Sequence, residues 1–263
     1  VDASPPWTRE RKLDAALRGP LVRAYVREDT RIIERPGWYQ VVTPSVRAYL
    51  NEVLLSQLDP DDAERTIDET IATYRENGAR LRWNVGPRTR PADLGKRLER
   101  RGFKATPLRA MGISTATAVE IPSGSIRVEE IDGASLDGYV VAMLRGWSMA
   151  EDQVAEEVRT HAAALMREPR VVHFFGATMD GECVATAGLV LHADFGYFIG
   201  GQVHERARGR GLYRGLVAAR LAFLHERDIG YAVTHAYAAT AAPILEHLGF
   251  ERLFESTSWS LQP

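Results

Sequence analysis

At 263 residues the chain exceeds the common size of a single domain and can bury a large core, and its 45% hydrophobic and 26% charged residues are those of an ordinary globular protein. A net charge of −2 argues against a general polyanion binder, while one cysteine, Cys183, excludes an intrachain disulfide and a paired-cysteine zinc site. Only three of the 33 basic residues are lysines, so an arginine in any motif carries little weight by itself.

The opening VDASPPWTRERK is too polar to read as a signal peptide, and no apolar run approaches the roughly eighteen residues of a membrane span. The expected setting is therefore cytoplasmic and reducing. DDAERTIDETIATYRENG (61–78) predicts a helix and LRWNVG (81–86) a strand. LERRGFKATPLRAMGI (98–113) predicts a helix that Gly102 stops in left-handed conformation, then a strand. The small, polar STATAVEIPSGS (114–125), broken by Pro122 and Gly124, is the linker candidate. It divides the chain into residues 1–117 and 118–263.

Past the linker, IRVEEI alternates as a strand does, and helices are expected around 136–147 and 153–167. VVHFFGATM, the turn Asp180-Gly181 and ECVATAGLVLH predict a hairpin, with Cys183 packed in its second strand. FGYFIGGQV is a further strand. After it, Leu212, Leu216, Ala219 and Phe223 recur on one face of a helix. The strand YAVTHAYA, the short helix AAPILEHL and the strand RLFESTSWSL complete the order βααβββαβαβ, a mixed α/β layer. LEHLGFERLFESTSWSL (245–261) echoes residues 98–113, with Gly249 as its helix stop, and this repeat points to a duplicated domain.

The motif that carries chemistry is VHERARGRGLYRGL (203–216), a glycine-rich turn between strand and helix. Main-chain N–H groups at a helix start, with no Cβ in the way at Gly209 and Gly211, make an anion site. Arg208 and Arg210 add positive potential. A solvated loop is the bland alternative. Nucleic-acid binding through RARGRG is disfavoured by the net acidity and by the lack of aromatics within the run.

In this order of elements, the loop Arg206-Ala207-Arg208-Gly209-Arg210-Gly211, the hairpin before it and the Leu-Gly-Phe after the last helix resemble the GNAT superfamily of acyl-CoA-dependent N-acyltransferases. Arg206, Gly209 and Gly211 fit that family's Q/R-x-x-G-x-G/A loop, and the resemblance covers residues 126–262. It implies an α/β GNAT fold, a mixed and mostly antiparallel sheet flanked by helices. It also implies that Arg206–Leu212 bind the pyrophosphate of acetyl-CoA or another acyl-CoA, chiefly through backbone N–H groups. The strand at Gly200, Gln202 and Val203 would pair with the pantetheine arm, and a small-molecule or peptide amine would attack the thioester directly. No metal, nucleic acid or membrane is implied. Residues 1–117 resemble a degenerate GNAT repeat in tandem. Where a cradle would precede its helix stands LDPDDAER, with Asp59, Asp61 and Asp62 and no glycine, so this half is expected to bind no CoA.

The pattern breaks at one point. Many family members carry a Tyr four residues before the Gly of Gly-Phe as general acid, and an Asn at the start of the last helix. Here those positions hold Leu245 and Ala238. General acid help is worth about 10²–10⁴-fold, and a thiol of pKa about 8.5 leaves fairly well without it. Candidates for a base are Glu205, His204, His235, His192 and Asp194. For Asp194 the alternative is capping a hairpin turn, and for His204 and Glu205 it is loop solvation. His235 and Tyr237 share one strand face, which looks either into the site or into the core. Tyr237 or Tyr213 could replace the acid. Trp147 falls where the family builds its acceptor pocket. The acidic Glu151, Asp152, Glu156 and Glu157 after it read chiefly as a solvated helix face. The other readings kept open are a non-catalytic acyl-CoA-binding module, acyl-CoA decarboxylation and O-acyl transfer.

Overall fold

The computed structural model describes residues 6–21, 25–120, 126–150 and 153–262. The end of the linker candidate (121–125) and Glu151 and Asp152 lie outside the described residues. The chain divides into two units, Arg27–Ala110 with Ala236–Pro243 and Leu253–Pro263, and Val1–Val26 with Met111–His235 and Ile244–Arg252.

The first of these units holds the hairpin β1 (Arg31–Arg35) and β2 (Trp38–Val42), then β3 (Glu52–Ser56), α2 (Ala63–Glu76), β4 (Leu81–Val85) and α3 (Leu94–Arg100). Most of β5 (Lys104–Ser114) and of the final strand β11 (Glu251–Leu261) also belongs to it. The strand order is β1-β2-β3-β4-β11-β5, with β3 and β4 parallel and β4 antiparallel to β11. Helix α2 turns Ala63, Ile67, Thr70, Ile71 and Tyr74 inward, the i, i+3/i+4 stripe its sequence carries. Ile67, Ile71 and Tyr74 meet Trp38, Trp83 and Leu98 in one apolar core. On the outside, Glu64 reaches Arg97 at 3.0 Å and Arg101 at 2.6 Å, so α2 and α3 are also tied by exposed ion pairs.

The second unit opens with α1 (Arg9–Arg18), capped by Thr8, whose hydroxyl accepts the Arg11 N–H at 3.3 Å. Then follow β6 (Arg127–Glu130), α4 (Leu136–Gly146), α5 (Val154–Leu165), β7 (Val172–Met179), β8 (Glu182–Leu191), β9 (Gly196–Val203), α6 (Leu212–His225), β10 (Tyr231–Tyr237) and α7 (Ala241–His247). The expected βααβββαβαβ order is therefore the observed one. The strand order is β5-β10-β9-β8-β7-β6, antiparallel from β6 through β9, with β9 and β10 parallel. Asp180 and Gly181, both at positive φ, form the turn between β7 and β8. Gly102 after α3 and Gly249 after α7 have φ of 85° and 94°, the left-handed helix stops that the repeat predicts.

Helices α4 and α5 pack Leu136, Tyr139, Val140, Leu144 and Ala164 on Val172, Phe174 and Val190 of the sheet. One acidic residue departs from the solvated-face expectation. Glu157 is 1% exposed, because α5 presents Glu157, Thr160, His161 and Ala164 as its inward stripe. Its Oε2 lies 3.7 Å from His161 Nδ1. Cys183 sits half-buried on β8, and burial pushes its thiol up to about 11, which disfavours the thiolate. No helix among the described residues is long and apolar enough to cross a membrane.

Candidate functional site

Strands β9 and β10 run parallel but stay in register for only three residue pairs, Gly196–Ala232, Tyr197–Val233 and Phe198–Thr234. Among the described residues no further pair joins them although both strands continue, so they part beyond Phe198, and the space between them is the candidate cleft. The cause lies in β9. Across from β8, Thr186 pairs with Gln202 and Gly188 with Ile199, which leaves one extra residue on β9, a bulge that bends it away. Gly200, at φ 60°, supplies the backbone angle that this bulge needs. The open edge of β9 at the cleft leaves main-chain groups for an extended ligand to pair with.

At the mouth of the cleft the chain leaves β9 through His204 and a short 3-10 turn at Glu205–Ala207. The His204 ring accepts the Arg206 N–H at 3.4 Å, and the wholly buried Ala207 pins the turn to the protein. Gly209 and Gly211 then take φ of 77° and 82°, left-handed angles that bulky residues would resist. Gly211 is the residue before α6 and gives that helix no side-chain cap. The first N–H groups of this fourteen-residue helix, with their partial positive charge, therefore have no side-chain cap, and they follow directly on the loop that leaves β9. Backbone of this kind, a glycine turn ahead of an uncapped helix start, is chemically suited to an anion.

The arginines around it are less committed. Arg206 is paired with Glu182, Arg208 donates to the Val203 carbonyl at 3.3 Å, and Arg210 lies against Met179 Sδ at 3.3 Å. Gln202 does not offer its side chain to the cleft. Its amide donates to the Ala142 carbonyl at 3.0 Å and to Thr186 Oγ1 at 2.8 Å, which ties β9 to α4 and leaves only its backbone for a ligand. Glu205 is exposed in the loop, and Leu212 is buried as the first helical residue. The Tyr213 ring packs on Gly201 of β9.

The closed end of the cleft carries two further contacts between the strands. Thr234 Oγ1 donates to the Phe198 carbonyl at 3.0 Å. On the face that holds Tyr197 against α4 and α5, the Tyr197 hydroxyl lies 3.4 Å from His235 Nδ1. His235 is one residue past the last in-register pair, and burial pushes its imidazole down to about 4, so it is neutral at pH 7. Tyr237 ends β10 two residues further on the same face and is 40% exposed. His192 and Asp194 are not at the cleft mouth. They occupy the β8–β9 turn, where His192 Nε2 meets the Gly19 carbonyl at 3.2 Å and Asp194 meets Arg11 and Arg18 at 3.5 and 3.4 Å. Trp147 caps the C-terminus of α4 and is 38% exposed. Leu245, in α7, is buried.

Sequence reasoning missed Tyr197, Thr234 and Arg220. For Arg220 a signal was present. It lies four residues after Leu216, on the apolar face of α6, where a charge interrupts the stripe.

The unit built on β3, α2 and β4 repeats the strand–loop–helix–strand arrangement with a different outcome. β3 and β4 pair in parallel only at Glu52–Arg82 and Val53–Trp83 and then part. Here the chain itself occupies the gap. Arg90 donates its N–H to the Ser56 carbonyl, Leu58 donates to the Arg90 carbonyl, each at 3.0 Å, and Trp83 Nε1 donates to Ser56 Oγ at 3.0 Å. Before α2, Asp59 Oδ1 accepts the Asp61 N–H at 2.9 Å, and Asp62 pairs with Arg65.

No protein-family model and no curated protein matches the chain. Solved structures do. A functionally unknown conserved protein from Staphylococcus epidermidis superposes with a TM-score of 0.70 at 10% identity, over 90% of this chain and 96% of that one. A GCN5-related N-acetyltransferase from Kribbella flavida gives 0.64 at 16% identity, over 95% and 94% of the two chains. A tandem GNAT protein from the clavulanic acid biosynthesis pathway gives 0.57 at 15% identity, over 100% of this chain and 89% of that one. At such identities the likeness is one of architecture, and that architecture is the fold of the GCN5-related N-acetyltransferases in its tandem form.

Proposed function

We propose that the protein is an acyl-CoA-dependent N-acyltransferase acting on a small-molecule or peptide amine. One observation carries the reading: a bulged β9 that parts from β10 and leads into the left-handed Gly209–Gly211 turn at the start of α6. Backbone groups of Arg206–Leu212 hold the pyrophosphate, and the open edge of β9 at Gly200, Gln202 and Val203 pairs with the pantetheine amides. In the transfer, the amine nitrogen forms its bond to the thioester carbon, the C–S bond breaks, and sulfur leaves with the electron pair. His235 is the proton acceptor. With its pKa near 4 it does not strip a free alkylammonium of pKa about 10, but it can accept a proton once the nitrogen becomes acidic on bonding to the carbonyl. Glu205 and Tyr237 are the secondary candidates, and Trp147 is assigned to the acceptor site.

We assign CoA binding to residues 118–263 and none to residues 1–117, although α1 falls in the unit of the later residues and most of β11 in that of the earlier ones. The Arg90 and Trp83 contacts that fill the β3–β4 gap, together with the aspartates before α2, support this assignment. Buried Leu245 in place of a Tyr favours a second reading, a non-catalytic acyl-CoA-binding module.

The experiment is a thermal melt with acetyl-CoA. At one hundred times Kd the ligand adds about 2.7 kcal/mol, which raises Tm by roughly 5–10 °C in a chain of this size. No shift at millimolar acetyl-CoA refutes both readings. A shift followed by thiol release across an amine panel selects the enzyme, and a shift without thiol release selects the module.

A further inference from the structure

Arg220 is a buried cation with no anion beside it among the described residues. It is 2% exposed, donates Nε to the Leu216 carbonyl at 2.9 Å and Nη1 to the Gly188 carbonyl at 3.1 Å, and lies with its guanidinium carbon 4.0 Å from the centre of the Phe198 ring. Among the described residues it makes no salt bridge. Burial pushes it down to about 10, so it keeps its charge at neutral pH. Its titratable neighbours are Tyr213 on α6 and Tyr139 on α4, both held protonated by burial. Guanidinium groups are rarely buried unless paired, because carbonyl dipoles and an aromatic face only partly replace water.

Its place in the fold explains what the charge faces. Phe198, beneath the guanidinium, is the last β9 residue in register with β10, and Gly188 pairs with Ile199 beside the bulge. From Leu212 to Arg220 the helix rises about 12 Å, and from Val203 back to Phe198 the antiparallel strand covers about 16 Å. Arg220 therefore lies beside the closed end of the cleft, about 12 Å along α6 from the glycine turn. Leu245, where members of the resembled family often carry a Tyr, has no proton to give.

We propose that Arg220 is the fixed counter-charge for the CoA thiolate, stabilising sulfur as an anion when the C–S bond breaks. The inference rests on the acyl-CoA reading. The sulfur keeps the bonding electron pair and takes a proton from water only after release, while the amine proton passes through His235 to solvent. Arg220 acts by its field across Phe198 and the β9 backbone, as a positioning charge outside contact with the reacting atoms.

The test is the ionisation of CoA bound to the full chain. CoA carrying carbon-13 next to sulfur is titrated by NMR on wild type, Arg220→Met, Arg220→Gln and Arg220→Lys. The wild-type midpoint is expected at least one pH unit below the ordinary thiol value of about 8.5. Arg220→Lys keeps most of that shift and Arg220→Met abolishes it. Arg220→Gln, which retains a donor for the Gly188 carbonyl, also abolishes it and serves if the Met variant fails to fold. A wild-type midpoint at or above that of free CoA overturns the proposal, and so does a lowered midpoint that survives loss of the charge. Absence of any CoA-induced thermal shift instead overturns the acyl-CoA reading itself.

Discussion

Gly146 is the last residue of α4, its φ is not in the left-handed region, and helix propensity says that Gly146→Ala should stabilise the protein by up to about 1 kcal/mol. The structure reverses the sign. A Cβ there would overlap the Gln202 side chain, whose amide oxygen and carbon would be 1.6 and 2.0 Å away. Gln202 is 7% exposed and held by two hydrogen bonds, so it has little room to yield. Displacing it forfeits both bonds, about 1 kcal/mol each, and strands a buried amide at a further 1–3 kcal/mol or so. Less a helical gain of about 1 kcal/mol, the net loss is about 2–4 kcal/mol, or roughly 4–16 °C in Tm. Thermal melts of Gly146→Ala, Gln202→Ala and the double variant measure it. In the double variant the clash disappears, so the two losses should be clearly less than additive. A stabilised Gly146→Ala, or strict additivity, would show that α4 is not pressed on β9 as described.

In the anion cradle, Gly211→Val should abolish the acetyl-CoA thermal shift while retaining the fold. A β-branched side chain at φ 82° costs about 1–3 kcal/mol and stands where the ligand must approach. Arg210→Gln should lower affinity only a few-fold; equal, large losses from both, by calorimetry, would mean that side-chain charge does the holding. Acid should destabilise the protein before its carboxylates titrate. His161, His173, His192 and His235 are all held below 6.5 by burial, so the unfolded chain binds more protons and stability falls as pH drops through 6.5. His235 alone, protonating at about 4, accounts for about 3 kcal/mol between pH 6.5 and 4. Urea midpoints across that window should decline in wild type and less steeply in His235→Asn; parallel slopes would contradict the burial of His235.

Much of the second half was legible in sequence because its signals are local. The Asp180-Gly181 turn, the glycine stops at Gly102 and Gly249, and the apolar stripe of α6 all follow from backbone sterics and helical period acting within a few residues. Elements with weak local signals were missed. α1 buries only Ala15 and Ala16, so it has no apolar stripe to read, and β1 and β3 are short. Glu157 looked like part of a solvated run because composition does not say which face of a helix turns inward.

The sequence by itself determined that Gly209 and Gly211 precede a helix, that the same place in the first half is acidic, and that Leu245 stands where the resembled family often carries a Tyr. Tertiary structure decided the rest, since those facts depend on which strands meet. Only the register of β8, β9 and β10 shows a bulge opening one cleft, and only the pairing of Ser56 and Leu58 with Arg90 shows the corresponding gap filled. Only packing turns the Gln202 side chain away from the cleft and buries Arg220 against Phe198 without an anion. Strand register and burial arise from contacts between residues far apart in the chain, and no window of neighbouring residues encodes them alone.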